Sequence, residues 1–275
     1  MISILWVLIF SYWISISQKD FTEENETILI TYKVSIKKNK NSNRKSTETV
    51  SLFISPKESI FIDRNLLQQR NLSTKDLPPQ EKTREMSMIG LPWFKCIIVK
   101  NFEENSTIVM EEHLQKQYNA YQQASMSPEN WNIISDSDST IAGLKTHKAE
   151  CHFGGRRWVA WFTPEIPVSD GPYKFSGLPG LIVKLESGEG DYSFHISGIE
   201  RNLSEKSLPV IPNYSLISET RFKEIQEMMR NNPFAQTQSN GGTVVGDIKV
   251  NGKLMTQEEF FIYLKKEGER LNKIE

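Results

Sequence analysis

Between Ala149 and Leu185 the chain reads AECHFGGRRWVAWFTPEIPVSDGPYKFSGLPGLIVKL, and this stretch limits the possible folds more than any other. From Arg157 to Thr163 the residues alternate, with Trp158, Ala160 and Phe162 on one side and Arg157, Val159, Trp161 and Thr163 on the other. Period-two order with aromatic enrichment predicts a β-strand. Both sides carry large apolar groups, so one face is expected to meet a core and the other a helix or loop. Pro164 and Pro167 lack backbone donors, which bars a central strand there and favours an extended edge or loop. Ser169-Asp170-Gly171-Pro172 carries turn chemistry: aspartate bonds its own backbone, glycine tolerates positive φ and proline fixes φ. Gly177-Leu178-Pro179-Gly180 repeats that chemistry, with both glycines expected at positive φ. The chain then returns through Leu181 to Leu185, with Leu181, Val183 and Leu185 on one face. The expected order is strand, long structured connection, strand.

Elsewhere the alternation is clearest from Thr27 to Ile36, where Ile28, Ile30, Tyr32, Val34 and Ile36 share one side. Lys37 to Thr47 is basic and polar and reads as a hairpin tip. Val50–Ile54 and Ser59–Ile62 are expected as short strands, and Trp93–Lys100 with Ser106–Met110 as a hairpin. Asn65 to Ser87 is polar, with Pro78-Pro79, and reads as a mobile excursion. Trp131–Ile134 and Leu144–Phe153 are expected to lead into the central strand, and Tyr192, Phe194 and Ile196 to face inward after it. Ser218 can cap a helix to about Arg230, with Asn232-Pro233 ending it. Residues 235–242 read as a linker, and Thr256-Gln257-Glu258-Glu259 as a capping box opening a last helix.

The hexapeptide Gly177-Leu178-Pro179-Gly180-Leu181-Ile182, preceded by Gly171-Pro172-Tyr173-Lys174-Phe175 and by Trp161 to Pro167, resembles the GLPGLI family, a group of exported proteins of the Bacteroidota without an established activity. The resemblance is close from Ala149 to Leu185 and looser beyond, where Trp131 and Asn232-Pro233-Phe234 also look similar. It implies an exported protein built on a mostly antiparallel, curved β architecture. The implied shape is that of the bowl-like N-terminal module found ahead of some bacterial glycan-releasing amidases, a fold analogy that carries no catalytic residues over. The fold expectation is thus mainly β (α+β): a curved antiparallel sheet, bowl or open half-barrel, with one or two peripheral C-terminal helices. The expected division is a leader at residues 1–17, a β-rich domain at 18–216 and a helical extension at 217–275 packed on it.

Met1 to Ser17 carries no charge and ends in Ser15-Ile16-Ser17, a small-x-small site, before polar Gln18-Lys19-Asp20. It predicts a cleavable signal peptide and export to the periplasm, the cell envelope or the medium, with no membrane span in the mature chain. No Cys directly follows the run, which excludes lipid attachment at a signal-peptide cysteine. The 33 basic and 34 acidic side chains nearly balance, which argues against nucleic acid as a partner. In an oxidising compartment Cys96 and Cys151 could form a disulfide or remain two buried thiols. The Asn-x-Ser/Thr sequons at Asn25, Asn71, Asn105, Asn202 and Asn213 are attributed to chance in an Asn-rich chain.

Catalytic spacing is weak throughout. His147 and Cys151 would share a strand face with His152 opposite, but no CxxC, HxxxH or HExxH spacing accompanies them, so no metal is assigned. Ser176, His195 and Asp191 make a triad on paper only, with no GxSxG elbow, and Glu165 and Asp170 are not placed as a glycosidase pair. No GxGxxG or GxxxxGK run suggests a nucleotide, and no cofactor is assigned. A ligand face remains: Arg157 and Trp161 on one strand face, with Tyr173 and Lys174 on the loop returning to the same sheet, aromatic rings beside cations as peptide or glycan recognition uses them. The leading expectation is a non-enzymatic binding or assembly factor of the cell envelope with a protein, peptide or glycan ligand. The alternatives are an envelope hydrolase or its accessory domain, and a periplasmic metal-handling protein.

Overall fold

The computed structural model describes residues 27–37, 45–113, 117–204, 207–231, 248–250, 253–256, 259 and 262. The expected leader, most of the basic hairpin tip, the linker at 235–242 and most of the final helix from Thr256 lie outside the described residues. Strands β1 (Thr27–Ile36), β2 (Ser46–Ile54) and β3 (Glu58–Asp63) are followed by helices α1 (Arg64–Thr74) and α2 (Pro79–Met88). Next come β4 (Cys96–Asn101), β5 (Ser106–Glu112), β6 (Tyr118–Ala124), β7 (Asn132–Ile141), β8 (Leu144–Phe153) and β9 (Arg156–Thr163). After a long connection follow β10 (Leu181–Ser187), β11 (Tyr192–Leu203), β12 (Tyr214–Leu216) and α3 (Glu219–Asn231). A small hairpin, β13 (Ile248–Val250) with β14 (Lys253–Met255), completes the described elements.

Strands β1–β12 form one open, curved sheet in the order β12-β6-β5-β4-β3-β2-β1-β11-β10-β9-β8-β7, not closed into a barrel. Every pairing is antiparallel except β12 on β6. The fold is therefore the mainly β, curved sheet that the alternation implied. Two-residue turns join β7 to β8 at Ala142 (φ 51°) and Gly143 (φ 82°), and β8 to β9 at Gly154 (φ 57°) and Gly155 (φ 72°). Positive φ at both turn positions matches the right-handed twist of the flanking strands.

The sheet has an apolar cluster on each face. On the inner face, Ile28, Ile30, Tyr32, Val34 and Ile36 of β1 are buried beside Trp158, Ala160 and Phe162 of β9, as alternation predicted. On the outer face, Phe53, Ile60, Ile62, Ile97, Val99 and Met110 form a second cluster that packs against Leu66 and Leu67 of α1. This outer cluster occupies only the β2–β6 half of the sheet.

One expectation is corrected. Residues 65–87 are not a mobile excursion but the two helices α1 and α2. Neither carries an apolar stripe: only Leu72 of α1 is buried and no residue of α2 is. What starts them is capping, which polar composition conceals. Asp63 Oδ1 accepts from the backbone N–H groups of Asn65 (2.8 Å) and Leu66 (3.4 Å), while Oδ2 accepts from Trp93 (3.1 Å) and Phe94 (3.3 Å). Pro79 opens α2, where its missing N–H costs nothing. Strands β6 and β12 were also not anticipated. The helix expected after Ser218 is α3, with Ser218 Oγ accepting from Arg221 N at 3.2 Å.

Candidate binding face

Residues 164–180, between β9 and β10, do not leave the sheet as an open loop. They run back across the inner face as a strap and bury Ile166, Val168, Tyr173, Phe175 and Leu178 in the core. Phe175 packs against Trp158 (ring centroids 4.8 Å) and Phe153 (5.1 Å). Short backbone bonds fix its path: Leu181 N donates to Ile166 O (2.9 Å), Ile182 N to Asp170 O (2.9 Å) and Gly180 N to Leu178 O (2.8 Å). Gly177 (φ 91°) and Gly180 (φ 143°) occupy the left-handed region, as turn chemistry required. A Cβ at Gly177 would stand 2.7 Å from the Ser127 carbonyl carbon, and one at Gly180 would overlap the Thr163 carbonyl.

Two lysines lock the strap to the sheet. Lys100 of β4, 1 % exposed, donates to Asp170 Oδ1, to Gly171 O (2.7 Å) and to Phe175 O (3.2 Å). All three ammonium protons thus have acceptors, which a buried charge requires. Burial pushes Lys100 below its usual pKa, and the charge and hydrogen bond of Asp170 pull the other way. Lys174 of the strap, 2 % exposed, donates to the Tyr121 hydroxyl. Its Nζ also lies 5.2 Å from the centroid of Tyr121, 5.5 Å from Tyr173 and 5.9 Å from Phe153, a cation among ring faces. From β1, the Tyr32 hydroxyl donates to Ile182 O at 2.7 Å.

The other half of the outer face, over β1, β11, β10, β9 and β8, is polar. The register aligns Lys33 with His195, His195 with Lys184, Lys184 with Trp161 and Trp161 with Lys148, one row across five strands. Lys184 Nζ lies over the Trp161 ring, 4.1 Å from its centroid, and Lys148 Nζ at 5.9 Å. Carboxylates of the next row tether these side chains: Glu186 holds Lys184 (3.1 Å) and lies 3.5 Å from the His195 ring, and Glu150 holds Arg157 (3.6 Å) and Lys148 (3.9 Å). Burial alone would raise the Glu186 carboxyl, but Lys184, Ser193 and His195 outweigh it and hold it below its usual range. His195 is lowered, by burial first and then by the Lys184 charge, against the pull of Glu186. The side chains of Arg157 (52 %) and His195 (46 %) remain open to solvent.

The structure therefore divides the four residues that the sequence grouped as a ligand face. Arg157 and Trp161 lie on the outer face, whereas Tyr173 and Lys174 are buried under the strap on the inner one. The signature residues Gly177, Leu178, Pro179, Gly180, Leu181 and Ile182 shape the end of the strap and the start of β10. Cys96 and Cys151 are two thiols, not a disulfide. Burial pushes the Cys151 thiol up to about 12. His147 sits on the inner side against Phe162 and bonds Asp138 Oδ1 at 2.8 Å. No group of three or more metal-ligating side chains gathers among the described residues. Ser176, His195 and Asp191 are not brought together: Ser176 Oγ donates to Met126 O, His195 meets Glu186, and Asp191 pairs with Arg156. Glu165 Oε1 accepts from Lys145 N in the open, far in environment from the buried Asp170.

Lys100 and Lys33, His195, Lys184 and Lys148 of the row were missed. Lys100 had a signal, since alternation in Cys96–Lys100 puts it on the face of Ile98. The row had none, because it depends on the register of β8–β11 across the strap and, for Lys33, on β1 lying beside β11.

Comparison with known proteins gives one family match over part of the chain and several structural likenesses. A family model described as "Protein of unknown function (Porph_ging)" matches residues 88–184, from the end of α2 through the strap into β10. No curated protein matches the sequence. Among solved structures, PNGF-II superposes in two crystal forms with a TM-score of 0.54; in the first the identity is 14 %, over 74 % of this chain and 34 % of that one. This chain thus spans about a third of that protein, and the likeness is one of fold. The MucA/MucB complex of Pseudomonas aeruginosa (TM-score 0.36, 9 % identity, 74 % of this chain and 61 % of that one) also matches. So does a LolA superfamily protein of Nitrosomonas europaea (TM-score 0.28, 8 % identity, 71 % of this chain and 95 % of that one).

Proposed function

We propose that this is an exported, non-enzymatic binding or assembly factor of the cell envelope, which meets an acidic segment of a protein partner on the outer face of β1, β11, β10, β9 and β8. One observation carries the reading: the protein fills its own inner face with the strap, while it paves this outer half with the row Lys33, His195, Lys184, Trp161, Lys148. The row is built to present charge. Lys184 occupies a face of the Trp161 ring, so Trp161 holds lysines in place rather than offering a platform to a sugar. Cations outnumber the carboxylates that tether them, and a partner's carboxylates can replace Glu150 and Glu186 as their acceptors. Residues 1–17 supply the export signal on this reading, and α3, which opens the 217–275 extension, packs against β6.

The test is capture from native envelope extract with the chain from Gln18 onward, beside a Lys148→Glu/Lys184→Glu variant of unchanged melting temperature. A stoichiometric protein partner held by the wild type and lost by the variant is expected, with capture weakening as salt is raised. A partner kept equally by the variant, or co-purification of glycan or metal alone, overturns the proposal.

A further inference from the structure

We propose that α3 is a pH-sensitive latch, released from the β5–β6 end of the sheet when His113 takes up a proton. His113 directly follows β5 and is 2 % exposed. The Asn119 side-chain amide nitrogen meets its Nδ1 at 3.1 Å. With that nitrogen donating, Nδ1 is an acceptor and the ring's single proton sits on Nε2. Nε2 is itself buried and has no hydrogen-bond partner. The ring is thus held neutral, with no acceptor waiting for a second proton.

The helix is fastened to this spot by two side chains. Phe222, 1 % exposed, wedges between His113 (ring centroids 5.2 Å, 69°) and Tyr121 (4.9 Å, 65°). One turn on, Gln226 Nε2 donates to Glu111 Oε2 at 2.7 Å. The groups facing His113 are few. Among the described residues, Glu111 of β5 is the charge acting on it, Tyr121 of β6 is engaged by Lys174, and α3 meets this spot through the non-titrating Phe222 and Gln226. Burial pushes His113 below its usual pKa, and the Glu111 charge opposes that without reversing it.

A proton on Nδ1 sets two donors, the ring N–H and the Asn119 amide, against each other, and it leaves a buried charge with no acceptor at either ring nitrogen. Two movements relieve this: the imidazolium leaves its slot for water, unseating Phe222, or Glu111 turns towards it and drops Gln226. Both loosen α3. Because the docked histidine is lowered relative to its ordinary value near ~6.5, docking is at full strength above that value and is lost as pH falls below it.

Hydrogen exchange of the full chain between pH 7.5 and 5.0, corrected for the intrinsic rate, tests the latch. Protection of peptides covering 219–231 should fall with pH, by at most about tenfold per unit for one proton. Peptides of β1 should stay protected, and His113→Gln should flatten the α3 response. Flat α3 protection in the wild type, or loss in β1 in parallel with α3, overturns the latch. Should His113→Gln fail to fold, Glu111→Gln serves instead: removing the charge that favours the imidazolium moves the loss to lower pH, and an unmoved midpoint contradicts the assignment to His113.

Discussion

At Lys100 an ammonium without access to water meets three acceptors, all from the strap. Removing one partner of such a pair strands the other. Lys100→Met leaves the Asp170 carboxylate buried, with Oδ2 already lacking a partner, and should cost about 3–5 kcal/mol in urea denaturation. Lys100→Met/Asp170→Leu should lie closer to wild type than Lys100→Met alone, because no uncompensated charge remains; a double variant worse than the single would mean that the pair adds net stability. Gly180→Ala places its methyl on the Thr163 carbonyl at φ 143° and should cost at least about 2 kcal/mol. An unchanged melting temperature would remove the architectural role of the hexapeptide. At Cys151 a pKa of about 12 leaves roughly one thiolate in ten thousand at pH 8. Maleimide should therefore label Cys151 only after unfolding, and rapid native labelling would contradict its place in the core. The glycines were legible in the sequence because turn chemistry is local. The lysine–carboxylate pair was not, since its members lie 70 residues apart.

At the scale of elements, the strands announced themselves and the middle helices did not. Thr27–Ile36 alternates because one face is buried throughout, and the structure keeps that face. In α1 and α2 burial is slight, so periodicity carries no information and the caps decide. Asp63 does double duty there, capping α1 with one oxygen and tying Trp93 and Phe94 with the other. Asp63→Ala should lose about 1–2 kcal/mol for the cap alone, and more through the two N–H groups left without an acceptor. Asp63→Asn, which keeps one acceptor oxygen, should recover part of that loss in thermal denaturation. Equal losses in the two variants would locate the effect in charge rather than in hydrogen bonding. The strap is the element that sequence described best in composition and least in position: its prolines and turns read as a long connection, but its direction over the inner face depends on partners in β4 and β6.

For the molecule as a whole, the sheet order sets which residues can act together. β1 is joined to β11 across more than 150 residues of sequence, with Tyr32 opposite Ile196 and Lys33 opposite His195, and that pairing adds Lys33 to the row that β8–β11 already form. Sequence reading placed Arg157 and Trp161 on one strand face, and the structure keeps them there. Tyr173 and Lys174 lie on the loop returning to the same sheet, which is what grouped them with that face, but these two are enclosed by Tyr121, Phe153 and Phe61 on the other. On the proposed function the strap is a fixed part of the core, and a partner is met on the outer face. Native-state hydrogen exchange across residues 163–182 is the decisive measurement. The amides of Gly180, Leu181 and Ile182 should exchange as slowly as those of β1, with Lys100→Met accelerating them first. Exchange at loop-like rates in the wild type would contradict it, because a strap that opens freely would make the inner face, rather than the lysine–tryptophan row, the place to look for a ligand.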